Sequence, residues 1–379
     1  MIHDFDRPVD RRGTNSLKWD LYKGKDIIPL WVADMDFRVS PEIIRALEAH
    51  IDHGVFGYTL VPDELIDVVI GRLATQYQWK IEPDWIVWLP GLVTGINVAC
   101  RAVGDSGDEI LTTVPIYPPF LTAPKNALRE LRTIPLVEKA EGWIFDFDLL
   151  ERAITPRTRL LLLCSPHNPA GRVFTREELS TLAEICKRHN LVICSDEIHC
   201  ELILDEDKEH IPTATLSPEV EERTITLMAP SKTFNIPGLG CAFAVISNEP
   251  LRRQFLREMQ GIVPHVNALG YTAALAAYRD SRNWHLALLD YLRENRNILE
   301  HAIAAMPGLS MHHVEATYLA WIDTRQTGMD NPAKIFEEAG VGLFDGKPFG
   351  TEGFVRLNFG CHRPVLEEAL QRMRKIIQI

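Results

Sequence analysis

The chain has 379 residues, a length for two or three domains or for one large α/β domain with a smaller partner, and is 46% hydrophobic and 24% charged, the ordinary balance of a globular enzyme. A formal charge of −12 argues against nucleic-acid or anionic-membrane partners, which favour an excess of Lys and Arg. No apolar run approaches the roughly 18 residues of a membrane span, and the opening "MIHDFDRPVDRRGTNS" has no signal-peptide core. Seven cysteines scattered without a CxxC pair point to reduced thiols and a cytoplasmic setting.

In chain order, an N-terminal segment (1–50) precedes the first sheet elements and is expected to pack with the small domain. A large domain follows over 51–280. Within it, short apolar runs alternate with helical patterns: "WIVWL" (85–89), "EILTT" (109–113), "RLLLLC" (159–164), "LVICSD" (191–196), "TITLM" (224–228) and "CAFAVIS" (241–247). Near-continuous apolar runs are what parallel strands covered on both faces look like. The clearest helix is "TREELSTLAEICKRH" (175–189), where Thr175 and Glu178 form a capping box and Leu179, Leu182, Ala183 and Cys186 make one stripe. This alternation implies a doubly wound, mostly parallel α/β sheet, whose ligands sit beyond the carboxyl ends of the strands. From about residue 271 a single long helical stretch leads out of the sheet. Residues 281–379, with "ATYLAWID" (316–323), "FVRLNFG" (354–360) and a final helix, read as a smaller α+β domain.

The strand ends carry the chemistry. After "WIVWLP" comes "GLVTG" (91–95), a turn opening a helix, whose free backbone N–H groups and positive dipole end can seat a phosphate. A plain βα connection looks the same. Tyr117 lies in the proline-rich "PIYPPF" (115–120), where a ring held in place could stack on a flat ligand or merely pack a loop. Asn168, between two prolines in "SPHNPAG" (165–171), would project its amide at a fixed point. Asp196 ends an apolar strand, where an unpaired carboxylate is costly. Lys232 follows the next strand, with no carboxylate beside it in sequence. The segment "CSDEIHC" (194–200) could also suggest a metal site, but no second ligand pair with metal spacing appears.

A phosphate seat, a ring, an amide, a carboxylate and a lysine at neighbouring strand ends suit pyridoxal 5′-phosphate. The lysine condenses with its aldehyde. The aspartate keeps the pyridine nitrogen protonated, so that the ring accepts electrons.

"SPHNPAG", "SDEIH" and "SKTFNIPGL", in this order, resemble the fold-type I, pyridoxal-phosphate-dependent class I/II aminotransferases. "WVADMDF" (31–37), "FGYT" (56–59) and "PIYPPF" resemble more narrowly the cystathionine β-lyase, or C–S β-lyase, branch. The resemblance implies a large cofactor domain with a smaller α+β domain, and the following roles. Lys232 holds the cofactor aldehyde and Asp196 meets the pyridine nitrogen. Asn168 reaches the ring hydroxyl oxygen and the substrate carboxylate, and Tyr117 stacks on the ring. The N–H groups of Leu92 and Val93 hold the phosphate. Tyr58 reaches it from a neighbouring subunit, making the active unit a homodimer. Arg356, in "FVRLNFG", clamps the substrate α-carboxylate, for which its planar fork is suited.

There are departures from the wider family. His199 stands where many aminotransferases have tyrosine, Ala229 replaces a hydroxyl residue, and Gly240 replaces a basic one. Ser231 is then left as a further phosphate contact. The activity implied is elimination of a thiol from cystathionine or a cysteine S-conjugate, giving pyruvate and ammonia. Transamination uses every one of the same residues and stands as the alternative. A non-catalytic ligand-sensing domain is the distant one.

Overall fold

The computed structural model describes residues 4–377. A seven-stranded sheet forms the centre: β1 (Ile86–Leu89), β2 (Glu109–Val114), β3 (Glu130–Pro135), β4 (Thr158–Cys164), β5 (Val192–Asp196), β6 (Thr224–Met228) and β7 (Ala242–Val245). The spatial order is β1-β7-β6-β5-β4-β2-β3. Strand β7 runs against both its neighbours, which corrects the expectation of a parallel strand there; every other pairing is parallel.

The principal helices are α1 (Pro41–His53), α2 (Leu92–Ala102), α3 (Arg176–Arg188), α4 (Ala268–Asp280), α5 (Arg282–Ala304) and α6 (Arg363–Ile377). Strand β4 shows why the strands read as continuous apolar runs. Leu160, Leu162 and Cys164 join one core with Leu92, Ile96 and Ala99 of α2. Leu161 and Leu163 join another with Leu179, Leu182 and Ala183 of α3. Both faces are covered, so no polar alternation survives. The capping box at α3 is formed: Glu178 N–H donates to Thr175 Oγ1 (3.2 Å), and Thr175 N–H donates to Glu178 Oε2 (2.9 Å).

The long helical stretch after residue 271 is two helices, α4 and α5, joined at Ser281. The Ser281 hydroxyl is buried and bonds the Ala276 carbonyl (3.0 Å) and Ser40 Oγ (2.9 Å). A side chain turned back on the preceding helix and on the cap of α1 ends α4 there. Beyond it lies a four-stranded antiparallel sheet of β8 (Ser310–Met311), β9 (Leu319–Asp323), β10 (Phe344–Asp345) and β11 (Phe354–Asn358), in the order β8-β9-β11-β10. Among the described residues no helix is long and apolar enough to cross a membrane.

Residues 31–37 are strapped between the two sheets. Asn358 Nδ2 donates to the carbonyls of Val32 (2.6 Å) and Asp34 (2.7 Å). Asn235 Nδ2 donates to those of Met35 and Phe37, both at 2.9 Å. The buried Asp36 accepts from Lys18 Nζ (2.7 Å), Arg11 Nη1 (2.7 Å) and Trp19 Nε1 (2.8 Å). Burial opposes its charge, but these donors outweigh that and hold the carboxyl below its ordinary range.

Candidate active site

A cavity of about 290 Å³ opens beyond the C-terminal ends of β4, β5 and β6. Lys232, Asp196, Asn168, Tyr117, His199 and Arg356 line it. So do Leu92, Val93 and Ser231. Nine of the residues singled out from sequence therefore share one space. For eight of them the order of the large sheet explains it, since connections leaving the carboxyl ends of its parallel strands emerge on one rim; Arg356 comes from β11 of the smaller sheet.

Asp196 is buried at the last position of β5, and its Oδ1 accepts the Ile198 N–H (3.1 Å). Burial pushes its carboxyl up to about 7; nearby Glu197 adds to this, while Lys232 and the Ile198 N–H oppose it. Glu197 itself is engaged elsewhere, by Ser195 Oγ (2.8 Å), the Thr213 N–H (3.0 Å) and His210 Nε2 (2.8 Å). Among the described residues no three His, Cys, Asp or Glu side chains gather as a metal-binding group.

Lys232 has its amine turned into the cavity, where Nζ donates to the Ala33 carbonyl (2.6 Å). Burial, helped by Arg356, lowers it to about 8; Asp34 and Asp196 pull the other way. A neutral, nucleophilic amine is thus reached near physiological pH.

Arg356 is 2% exposed and has no carboxylate within ion-pair distance among the described residues. Nη1 donates to Asn168 Oδ1 (3.1 Å) and Nη2 to the Trp31 carbonyl (2.9 Å), while Nε has no partner. The guanidinium lies 5.2 Å from the Phe344 ring centre and 4.9 Å from that of Phe349. Burial lowers it to about 10. All five residues of β11 are buried, so Arg356 does not lie on a solvent face of the strand. A buried cation without a counter-ion is costly and is a ready seat for an anion.

At the opposite end, helix α2 starts at Leu92 with no side-chain cap, which leaves its first N–H groups facing the cavity. Gly240 also lines this end, at φ +58°, and an added Cβ would meet the Pro90 carbonyl oxygen at 3.1 Å. Backbone shape and crowding therefore favour glycine where the wider family carries a basic residue. Sequence reasoning missed Thr94, whose hydroxyl-bearing side chain lines the same end. The signal was present within "GLVTG" at the first turn of a helix.

His199 is buried, with its ring edge-on to Tyr318 (centroids 6.1 Å apart) and Nδ1 without a partner. Burial, with Lys232 and Arg356 close by, pushes it down to about 3, so it is neutral at working pH. The Asn168–Pro169 bond is cis.

Tyr58 is not brought to this cavity within the chain. It is fully exposed, at 108%, and flanks a separate surface groove of about 810 Å³ with Phe56, Leu60, Pro264 and His265.

The raised carboxyl gives a testable pH dependence. An ordinary aspartate loses its proton near 3.9, whereas folded Asp196 keeps it to about 7. Between those values the unfolded chain has lost a proton that the fold retains, so stability falls as pH rises. Asp196→Asn removes this loss. The cofactor-free variant is expected to be more stable than the unaltered protein at pH 8, by about 2–4 kcal/mol. The advantage should shrink toward pH 4, as read by unfolding at both pH values; equal stability across the range contradicts it.

The model of the family "Aminotransferase class I and II" matches residues 25–373. Cystathionine beta-lyase PatB of Bacillus subtilis (strain 168) is 36% identical, over 98% of this chain and 99% of its own. The crystal structure of OvoB superposes with a TM-score of 0.97 at 48% identity, over 99% of both chains. That of cystalysin from Treponema denticola, which contains pyridoxal 5′-phosphate, superposes at 0.95 with 33% identity, over 100% of this chain and 99% of that one. With a model match across nearly its whole length and such relatives, the chain belongs to the class I and II aminotransferase family.

Proposed function

We propose that the protein is a pyridoxal-phosphate-dependent C–S β-lyase that eliminates a thiol from cystathionine or a related cysteine S-conjugate. The observation that carries this reading is Arg356, a buried guanidinium with no carboxylate within ion-pair distance among the described residues, bonded to Asn168 on the wall that also presents Lys232 and Asp196. The residues fit the cofactor at each end. The N–H groups of Leu92 and Val93, with Ser231, face the place for its phosphate, and Asp196 that for its ring nitrogen. Tyr117 and Asn168 flank the ring between them, and His199 closes the wall. Bound there, the cofactor supplies an aldehyde for a primary amine and a ring that draws electrons from the substrate Cα.

The chain's own groups do the rest. Arg356 and Asn168 hold the substrate carboxylate and so aim the Cα–H bond at Lys232. The Lys232 amine, which burial lowers to about 8, removes the Cα proton in its neutral form. The electron pair forms the Cα=Cβ bond as the Cβ–S bond breaks, and its electrons leave on sulfur. Lys232, now an ammonium, gives its proton to that sulfur. Pyruvate and ammonia follow by hydrolysis. The names of the relatives, a cystathionine beta-lyase among them, support elimination over transamination.

The working unit in this reading is a homodimer in the cytoplasm. The segment around Tyr58 exposes Val55, Phe56 and Leu60 as well, an apolar stretch suited to a second copy, from which Tyr58 would reach the partner's phosphate. All seven cysteines are free and buried, as a reducing setting requires.

The test is to incubate the holoenzyme with cystathionine and with cysteine S-conjugates. Pyruvate and thiol released without any 2-oxo acid support the lyase. Turnover only when a 2-oxo acid is supplied assigns a transaminase instead.

A further inference from the structure

Tyr318 immediately precedes β9 and is almost fully buried. Its hydroxyl donates to the Ala33 carbonyl oxygen (3.1 Å), the same atom that accepts from Lys232 Nζ (2.6 Å). Its ring packs edge-on to His199. One buried phenol thus touches the acceptor of the lysine amine and the imidazole beside it.

The backbone that presents Tyr318 is unusual. Thr317 has φ +74°, a left-handed conformation rare for a β-branched residue. It is held there by its N–H on the Leu202 carbonyl (2.8 Å), by the neighbouring Ala316 N–H on the Gly171 carbonyl (2.9 Å), and by Oγ1, which accepts the Leu319 N–H (3.1 Å). Strain of this kind persists only where its surroundings over-determine it, and it gathers at working sites.

We propose that Tyr318 is a positioning residue for Lys232: together with the Ala33 carbonyl it fixes the resting place of the free amine, and the left-handed Thr317 backbone sets that place. This rests on Lys232 being the amine that captures the cofactor. A carbonyl oxygen has two lone pairs, and here one serves the amine and the other the phenol. The hydroxyl's positive end weakens the oxygen's hold on an ammonium, which leaves the amine readier to lose its proton and attack. The other charged or titratable groups around the amine are Asp196 from β5, Arg356 from β11, Asp34 from the strap, Tyr117 and neutral His199. Tyr318→Phe alters none of these and keeps the ring against His199.

The experiment follows capture of pyridoxal 5′-phosphate by cofactor-free protein, read by absorbance across pH. In Tyr318→Phe the pH midpoint of capture is expected to move up by about 0.5–1 unit, with capture about 3- to 10-fold slower at pH 7. Thermal stability should stay close to that of the unaltered protein. An unmoved midpoint overturns the role. Thr317→Val removes the Oγ1 that accepts the Leu319 N–H and helps hold the left-handed backbone, and is expected to slow capture. Unchanged capture in this variant removes Thr317 from the proposal. If the unaltered protein captures no cofactor, the reading of Lys232 fails first, and this inference with it.

Discussion

Lys232→Ala is expected to lower kcat/KM for thiol elimination by on the order of 10⁴-fold or more. Two functions leave with one side chain. The amine that removes the Cα proton is gone, and so is the ammonium that returns it to sulfur. Among the described residues no other lysine lines the cavity to take over. The remaining wall is untouched, so Asp196, Asn168 and Arg356 should still gather cofactor and substrate without covalent capture. The variant should therefore lose the yellow colour of captured cofactor on dialysis, while a small added amine restores part of the rate. Near-normal turnover would place the base elsewhere.

Arg356→Met is expected to separate activity from stability. The arginine is buried with no carboxylate within ion-pair distance among the described residues, so in the ligand-free protein its charge is a cost. Methionine of similar length fills the space without that charge, and it faces the Phe344 and Phe349 rings as readily. The thermal midpoint of the ligand-free variant should equal or exceed that of the unaltered protein. The substrate carboxylate, however, loses a charge-assisted forked contact, and kcat/KM should fall by about 10²–10³-fold, mainly through KM. Arg356→Lys should recover little, because a point charge does not reproduce the fork. A variant both destabilised and still active would make Arg356 a structural residue.

The central sheet was legible because its inner strands are covered on both faces, and an apolar run such as Leu160–Leu163 has no other economical reading. Helix α3 was legible from its capping box. Strand β3, "ELRTIP", was not: as the edge strand it is largely exposed, so charge and threonine replace the apolar run. The break at Ser281 was hidden because a serine inside a helical pattern shows nothing of the carbonyl it will bond. The gathering of Lys232, Asp196, Asn168 and Tyr117 on one rim was legible because each ends or follows a strand, and parallel topology brings such positions together. The Ala33 carbonyl was invisible, since a backbone acceptor has no residue type to announce it. Tyr318 looked like part of an apolar strand, and only its hydroxyl's partner distinguishes it. Arg356 was singled out because its planar fork suits a carboxylate, but its burial, with no carboxylate within ion-pair distance among the described residues, belongs to the fold. Tyr58 stands apart from the cavity within the chain.

The most direct measurement is to load the protein with pyridoxal 5′-phosphate, fix it with borohydride and map the modified peptide by mass spectrometry. The expected result is one modified lysine, Lys232, with modification abolished in Lys232→Ala. Cofactor fixed on a different lysine, or on none, contradicts the assignment.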